Sequence, residues 1–402
     1  LSKSESTTSK KIEKRKKIEC LLTDKFSSIE QLDLELNRLS KLLIELQARL
    51  DQAQSQFQQA TLQKAQADLV DYQGTGSSIM EKSHRGANYT QVHEEATALL
   101  TSVLGLGDDF EVLFLQGGAS TQFLMAPLNL LSKGQTADYI NTGAWSTKAI
   151  KEAKAFGEVH EVYSGKDGNF THIPTQEELA FNEHTRYVHF TSNNTIFGTQ
   201  FSTEPETNGV PLVCDASSDF LSKPIDIVRY GIIYAGAQKN LGPAGVTIVI
   251  ARKDVLEGIS KTDIPTIMNY RTHVQNLFNT PPVFPVYMVK LVLEWIQRKG
   301  GIPYFERFNL EKANLLYSAI DEDDFYSGTA DLASRSLMNV TFRLPSEELE
   351  KKFIHEATAA HLDALKGHRS VGGVRASIYN ACPMESVQAL VAFMADFKTN
   401  HG

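Results

Sequence analysis

The chain has 402 residues, 42% of them hydrophobic, with 40 basic against 48 acidic side chains and a formal net charge of −8. That apolar content can fill one large core or two smaller ones, and the charge balance offers no basic surface for nucleic acid over most of the chain. No signal-peptide pattern and no apolar run long enough to span a bilayer are visible, and Cys20, Cys214 and Cys382 lie far apart without CxxC spacing. These features point away from a membrane protein and a structural zinc site, and towards a reducing compartment, the cytoplasm.

Residues 1–59 differ in kind from the rest. Residues 1–26 carry eight Lys/Arg against four Asp/Glu, with Lys10-Lys11 and Lys14-Arg15-Lys16-Lys17 in one basic patch. From Ile29 the apolar positions fall at 29, 32, 36, 39, 43, 46, 50, 53 and 57, alternating steps of three and four. That is a heptad seam, with Ile29, Leu36, Leu43, Leu50 and Phe57 at a and Leu32, Leu39, Leu46 and Ala53 at d. Ser27 with Glu30 reads as the capping box that starts the helix. Leu42 at a g position widens the stripe, so a larger bundle or a helical partner fits residues 29–57 as well as a two-stranded coil does.

Beyond Ala60 the pattern turns to alternating strands and helices. Glu111–Gln116 predicts a strand that breaks at Gly117-Gly118-Ala119-Ser120, followed by a helix through Leu131. Small residues at such a turn let backbone N–H groups meet a phosphate, although a glycine pair alone is weak evidence. Further strands are expected at Tyr139–Asn141, Tyr187–Thr191, Pro211–Cys214, Ile232–Ala235 and Val246–Ala251, and helices at Ala149–Ala155 and Pro285–Arg298. Repeated alternation implies an α/β fold with a mostly parallel sheet and covered faces. The expected division is a large domain over 60–284 and a smaller α/β domain over 285–402.

Lys239 is the best chemical lead. It follows the apolar strand Ile-Ile-Tyr-Ala-Gly-Ala-Gln (232–238), where a partly desolvated amine has a lowered pKa suited to bonding an aldehyde. Asp215 ends another apolar strand (210–219, Val-Pro-Leu-Val-Cys-Asp-Ala-Ser-Ser-Asp), at the end where open α/β sheets hold ligands. An acid and a lysine about two dozen residues apart fit pyridoxal 5′-phosphate, with the acid on the ring nitrogen and the lysine on the aldehyde. The plain alternative, a surface lysine and an acidic helix cap, is equally compatible with the spacing.

Resemblance favours the cofactor reading. Tyr-Ala-Gly-Ala-Gln-Lys-Asn-Leu-Gly-Pro-Ala-Gly (234–245) resembles the lysine motif of phosphoserine aminotransferases. Six further segments similar to that family follow in order: Ser-His-Arg-Gly (83–86), Gln-Gly-Gly-Ala-Ser-Thr-Gln-Phe (116–123), Thr-Gly-Ala-Trp-Ser (142–146), Ser-Asn-Asn-Thr-Ile-Phe-Gly-Thr (192–199), Phe-Asn-Thr-Pro-Pro (278–282) and Lys-Gly-His-Arg-Ser-Val-Gly-Gly-Val-Arg-Ala-Ser (366–377). The resemblance implies a fold-type I pyridoxal-phosphate transferase over residues 60–402. It makes Lys239 the aldehyde-bonding lysine and proton shuttle and Asp215 the pyridinium partner. It places Trp145 on the ring face, Thr195 on the phenolic oxygen, and Ala119, Ser120 and Gln238 on the cofactor phosphate. Asn279 and Thr280 match positions that reach the phosphate from the neighbouring subunit, which implies a homodimer.

On the substrate side the resemblance makes Arg375 the carboxylate clamp and His84, Arg85, His368 and Arg369 a phosphate pocket, part of it across the dimer interface. Guanidinium forks and imidazoles suit both anionic groups. The implied reaction moves an amino group from glutamate to 3-phosphohydroxypyruvate, giving phosphoserine and 2-oxoglutarate by a ping-pong route in serine biosynthesis, with a related substrate in bacterial vitamin B6 synthesis. The family's opening strand and its Gly-Pro-Ala loop are missing, and the heptad helix runs into a first helix at 60–69 with no Gly or Pro between. Together with a first residue other than methionine, this reads as a fusion of a foreign coiled-coil segment, with weakened turnover as the expected consequence. Two other readings are a dimeric carrier for the interaction segment 1–59, and a sulfur-mobilising pyridoxal lyase, which the lack of a cysteine in a nucleophile loop disfavours.

Overall fold

The computed structural model describes residues 60–274 and 277–402. The basic patch, the Ser27–Glu30 capping box and the heptad seam lie outside the described residues. The strands run in chain order β1 (Phe110–Leu115), β2 (Thr136–Asn141), β3 (Glu158–Ser164), β4 (Thr185–Thr191), β5 (Asn193–Asn194), β6 (Thr199–Gln200), β7 (Leu212–Asp215), β8 (Tyr230–Gly236) and β9 (Thr247–Arg252). Seven of them form one sheet in the order β1-β9-β8-β7-β4-β2-β3, while β5 and β6 pair separately. Strands β3, β2, β4, β7 and β8 run parallel, and β9 lies antiparallel between β8 and β1. The sheet is therefore mixed, with the expected parallel part running from β8 to the β3 edge.

The central strands are legible because they are buried on both faces and read as nearly unbroken apolar runs; every residue of β7 and β8 is buried. Their side chains alternate between two cores. Ile233 and Ala235 point into one with Tyr89, Leu100, Val286 and Leu293, while Ile232 and Tyr234 point into the other with Phe123, Ile150 and Tyr270. Helices Ala87–Leu104 and Val283–Arg298 cover the first face, and helices Gly118–Leu130 and Ala144–Ala153 the second. Each fully buried Leu, Ile or Phe contributes about 1.5–3 kcal/mol, so these two layers dominate the fold's stability. Strand β3 escapes the sequence pattern because it is an edge strand whose Glu158, His160 and Glu161 remain exposed.

A second sheet, β10 (Ser327–Gly328), β11 (Asn339–Arg343) and β12 (Val374–Ser377), is antiparallel throughout. It packs in a third core with Leu316, Phe353, Leu390 and Phe397 from helices Ile302–Ile320, Glu347–Ala359 and Met384–His401. Helix Ile302–Ile320 joins the cores: Ile302 and Phe305 belong to the first, Ala313, Leu316 and Ile320 to the third. Among the described residues no helix is long and apolar enough to cross a membrane, and no cluster of His, Cys, Asp or Glu could hold a metal ion.

Candidate active site

Parallel strands bring their C-terminal ends to one edge, and the candidate residues gather there. Asp215 is the last residue of β7, and Lys239 lies three residues past β8. Thr195 follows β5, and Trp145 starts the helix after β2. The Lys239 Nζ donates to Thr195 Oγ1 at 2.6 Å and to Ser218 Oγ at 2.6 Å, and the two hydroxyls are themselves 2.6 Å apart. Although part of its stem is accessible, the ammonium is packed among protein atoms, and this burial lowers its pKa to about 8. Asp215 opposes that shift and Arg375 adds to it.

Asp215 is buried. Its Oδ1 accepts from Ser217 N at 3.0 Å and from Ser217 Oγ at 2.6 Å, and among the described residues no hydrogen bond reaches Oδ2. Burial holds this carboxyl above the ordinary carboxylate range, with the Ser217 bonds pulling the other way. A cationic ring N–H fits the uncommitted oxygen. Trp145 Nε1 and Arg375 Nε are also buried without a hydrogen-bond partner among the described residues.

The Gly117 turn is built for close approach. Gly117 has φ +92, and a Cβ there would lie 1.9 Å from Thr121 Oγ1. Gly118, Ala119 and Ser120 open helix Gly118–Leu130, whose N-terminal N–H groups meet no side-chain cap among the described residues and suit an anion. Asn279 Nδ2 donates to Gln116 Oε1, whose Nε2 donates to the Thr280 carbonyl at 2.6 Å; both residues thus stand beside this turn within their own chain. Gln238 is exposed next to Lys239. A cavity of about 410 Å³ is lined by Gln116, Gly117, Thr121, Leu277, Phe278 and Asn279 and not by Lys239.

Arg375, on β12 of the second sheet, reaches the residue after β5, its Nη1 donating to the Thr195 carbonyl at 3.5 Å. His368 sits in the same cationic field. Partial burial is the largest cause of its lowered pKa, followed by Arg375, Arg369 and Lys148. His84 and exposed Arg85 stand on the turn before helix Ala87–Leu104, and among the described residues neither hydrogen-bonds the Lys239 group. Sequence reasoning missed Ser218, Ser217 and Lys148. The Ser-Ser pair immediately after Asp215-Ala216 was the available signal for the first two; Lys148, 4.3 Å over the Trp145 ring, needed the helix register.

A family model described as aminotransferase class V matches residues 50–390. The chain belongs to the class V aminotransferases. It is 54% identical over 350 residues to a phosphoserine aminotransferase of Lysinibacillus sphaericus, covering 86% of this chain and 96% of that protein. A solved phosphoserine aminotransferase from Bacillus circulans subsp. alkalophilus superposes with a TM-score of 0.83 at 52% identity, covering 85% of this chain and 96% of that one. A structure of the Trichomonas vaginalis phosphoserine aminotransferase, with pyridoxal phosphate bound, superposes with a TM-score of 0.80 at 38% identity, covering 84% and 96%. Membership in this family makes the chain a pyridoxal-phosphate enzyme, and nothing in these matches supports the reading of a passive carrier. The family match reaches into the end of the segment 1–59.

Proposed function

We propose that the enzyme moves an amino group between glutamate and 3-phosphohydroxypyruvate, yielding phosphoserine and 2-oxoglutarate. The observation that carries this reading is the buried Lys239 amine, set between two hydroxyls and within the electrostatic reach of Asp215 and Arg375. Pyridoxal phosphate, when bound, supplies the electron sink that makes an amino acid's Cα proton acidic. Lys239 is the group that would hold the cofactor's aldehyde carbon and move that proton; its lowered pKa keeps a useful fraction of neutral amine near neutrality. Asp215 would hold the proton on the ring nitrogen by a desolvated ion pair, and Ser217 fixes the orientation of its carboxyl.

Trp145 would hold the ring, Thr195 its phenolic oxygen, and the N–H groups of Ala119 and Ser120 with the Gln238 side chain its phosphate. Arg375 takes the substrate carboxylate, and His84, Arg85, His368 and Arg369 take its phosphate, with Lys148 contributing to the same positive field. A negatively charged substrate of two anionic ends suits that field. The enzyme portion is proposed as a cytoplasmic homodimer in which Asn279 and Thr280 complete the partner's phosphate site, and a role in vitamin B6 synthesis rests on the same resemblance. Lys239→Ala tests the core of this reading. That variant is expected to lose turnover of glutamate with 3-phosphohydroxypyruvate and to yield no borohydride-fixed cofactor on the chain; fixation at the wild-type level would refute the assignment.

A further inference from the structure

Helix Ile302–Ile320 carries two buried polar residues, Asn309 and Lys312, at the point where it passes from the first core to the third. Lys312 is fully buried and, among the described residues, has no carboxylate partner. Its Nζ donates instead to three backbone carbonyls, those of Ile378 at 2.9 Å, Tyr379 at 2.7 Å and Cys382 at 3.1 Å. A buried ammonium without a counter-ion is costly, and a methionine or leucine would fill the space more cheaply. What the lysine gains is a fixed backbone over residues 378–382.

That segment touches the lysine site directly. The Asn380 N–H donates to Asn240 Oδ1 at 3.0 Å, and Asn240 is the chain neighbour of Lys239. The Asn380 Nδ2 donates to the Leu221 carbonyl at 3.0 Å, and its Oδ1 accepts from Asn309 Nδ2 at 2.8 Å. Asn240 Nδ2 closes the set by donating to the Phe220 carbonyl at 3.2 Å. Leu221 has φ +61, a left-handed conformation that a leucine avoids unless its surroundings enforce it. The turn so enforced follows directly from Ser218, which accepts from Lys239 Nζ. At the other end, the segment continues β12, the strand that carries Arg375.

We propose that Lys312, Asn309, Asn380 and Asn240 form a buried latch that sets the position of the Lys239 amine relative to Arg375. The latch grips both supports of the amine, its neighbour Asn240 and the 218–222 turn, and ties them to the end of the strand that bears Arg375. These four are positioning residues, since none is placed against substrate or cofactor. The inference rests on Lys239 as the cofactor lysine.

The test uses full-length, cofactor-free protein to which pyridoxal phosphate is added, with capture followed by absorbance and by circular dichroism of the bound cofactor's visible band. Lys312→Met and Asn240→Ala are each expected to slow capture roughly ten- to a hundredfold, the scale on which small misplacements of a reacting group act, and to weaken the dichroic band. The double variant should be no slower than the slower single one, because Lys312 acts through Asn240. Asn309→Ser serves in place of Lys312→Met if the latter does not fold. Unchanged capture and dichroism in the variants, or effects that multiply in the double one, would overturn the latch. Lys239→Ala is the control: if it stays inert while the latch variants capture normally, the latch alone fails, and if it captures like wild type, the lysine assignment and the latch fall together.

Discussion

Asp215 and Lys239 owe their chemistry to burial rather than to their residue types. With its ammonium enclosed, Lys239 has a pKa lowered to about 8 from an ordinary 10.5. The unfolded chain therefore binds more protons between those values, so this group opposes folding fully below about 8, and the cost fades as pH rises towards 10.5. The same sign governs reactivity, because the neutral amine is the nucleophile. Capture of added pyridoxal phosphate by cofactor-free protein should rise with pH through about 8 and then level; stopped-flow absorbance across a pH series checks this, and a profile that stays flat there would count against the lowered pKa. For Asp215→Asn the ring nitrogen loses its counter-charge. Removing one member of a buried ion pair costs about 3–5 kcal/mol, so turnover is expected to fall roughly a hundredfold or more while some cofactor stays bound. Near-normal kcat in that variant would take Asp215 out of the mechanism.

Turns, more than helices or strands, decide whether these groups meet. Gly198 lies in the ribbon between β5 and β6 with φ +73, and a Cβ there would fall 2.1 Å from Thr341 Oγ1 and 2.9 Å from the Asn339 carbonyl on β11. Gly198→Ala is expected to destabilise the protein by roughly 2–3 kcal/mol through strain and overpacking, read as a lower Tm. Adding Thr341→Ala should recover part of that loss by removing the nearer contact, and a strictly additive pair would show that the clash is not the cause. Gly117 is under the same constraint at the phosphate turn. Gly117→Ala should weaken pyridoxal-phosphate affinity at least tenfold in an equilibrium titration, because Thr121 must be displaced and the N–H groups of the following residues re-aimed. Unaltered affinity would place the phosphate elsewhere.

At the scale of the whole molecule, the proposed sharing of the phosphate site would demand two chains. Asn279 and Thr280 are exposed beside the Gly117 turn, and Phe278 next to them is an exposed aromatic, as expected of a surface that a second copy covers. A protein beginning at Ala60 should therefore sediment as a dimer; a monomer that binds a full complement of cofactor would contradict the shared site. The loss of the Gly-Pro-Ala opening expected from the sequence would bear on substrate more than on cofactor. Restoring the family's opening strand is expected to raise kcat/KM for glutamate and 3-phosphohydroxypyruvate by up to about a hundredfold, the cost of misplacing one wall of a site. Equal values in the two proteins would make that loop dispensable.

The strands β7 and β8, the Gly117 turn and the candidates Lys239 and Asp215 were all legible in the sequence, because buried parallel strands are unbroken apolar runs and polar groups at their ends stand out against them. Family likeness then supplied roles that spacing alone left open. The edge strand β3 was not legible, since half-exposed residues carry no strong pattern, and neither was the antiparallel insertion of β9, whose apolar sequence looks the same in either direction. The Ser218 contact and the proposed Lys312 latch were harder to read, because they act across separations of 21 residues between Lys239 and Ser218 and 66 between Lys312 and Ile378, while Lys148 needed the helix register. Periodicity reports what one element buries. Only the tertiary structure decides which buried polar groups share a hydrogen bond, because that depends on where the chain returns.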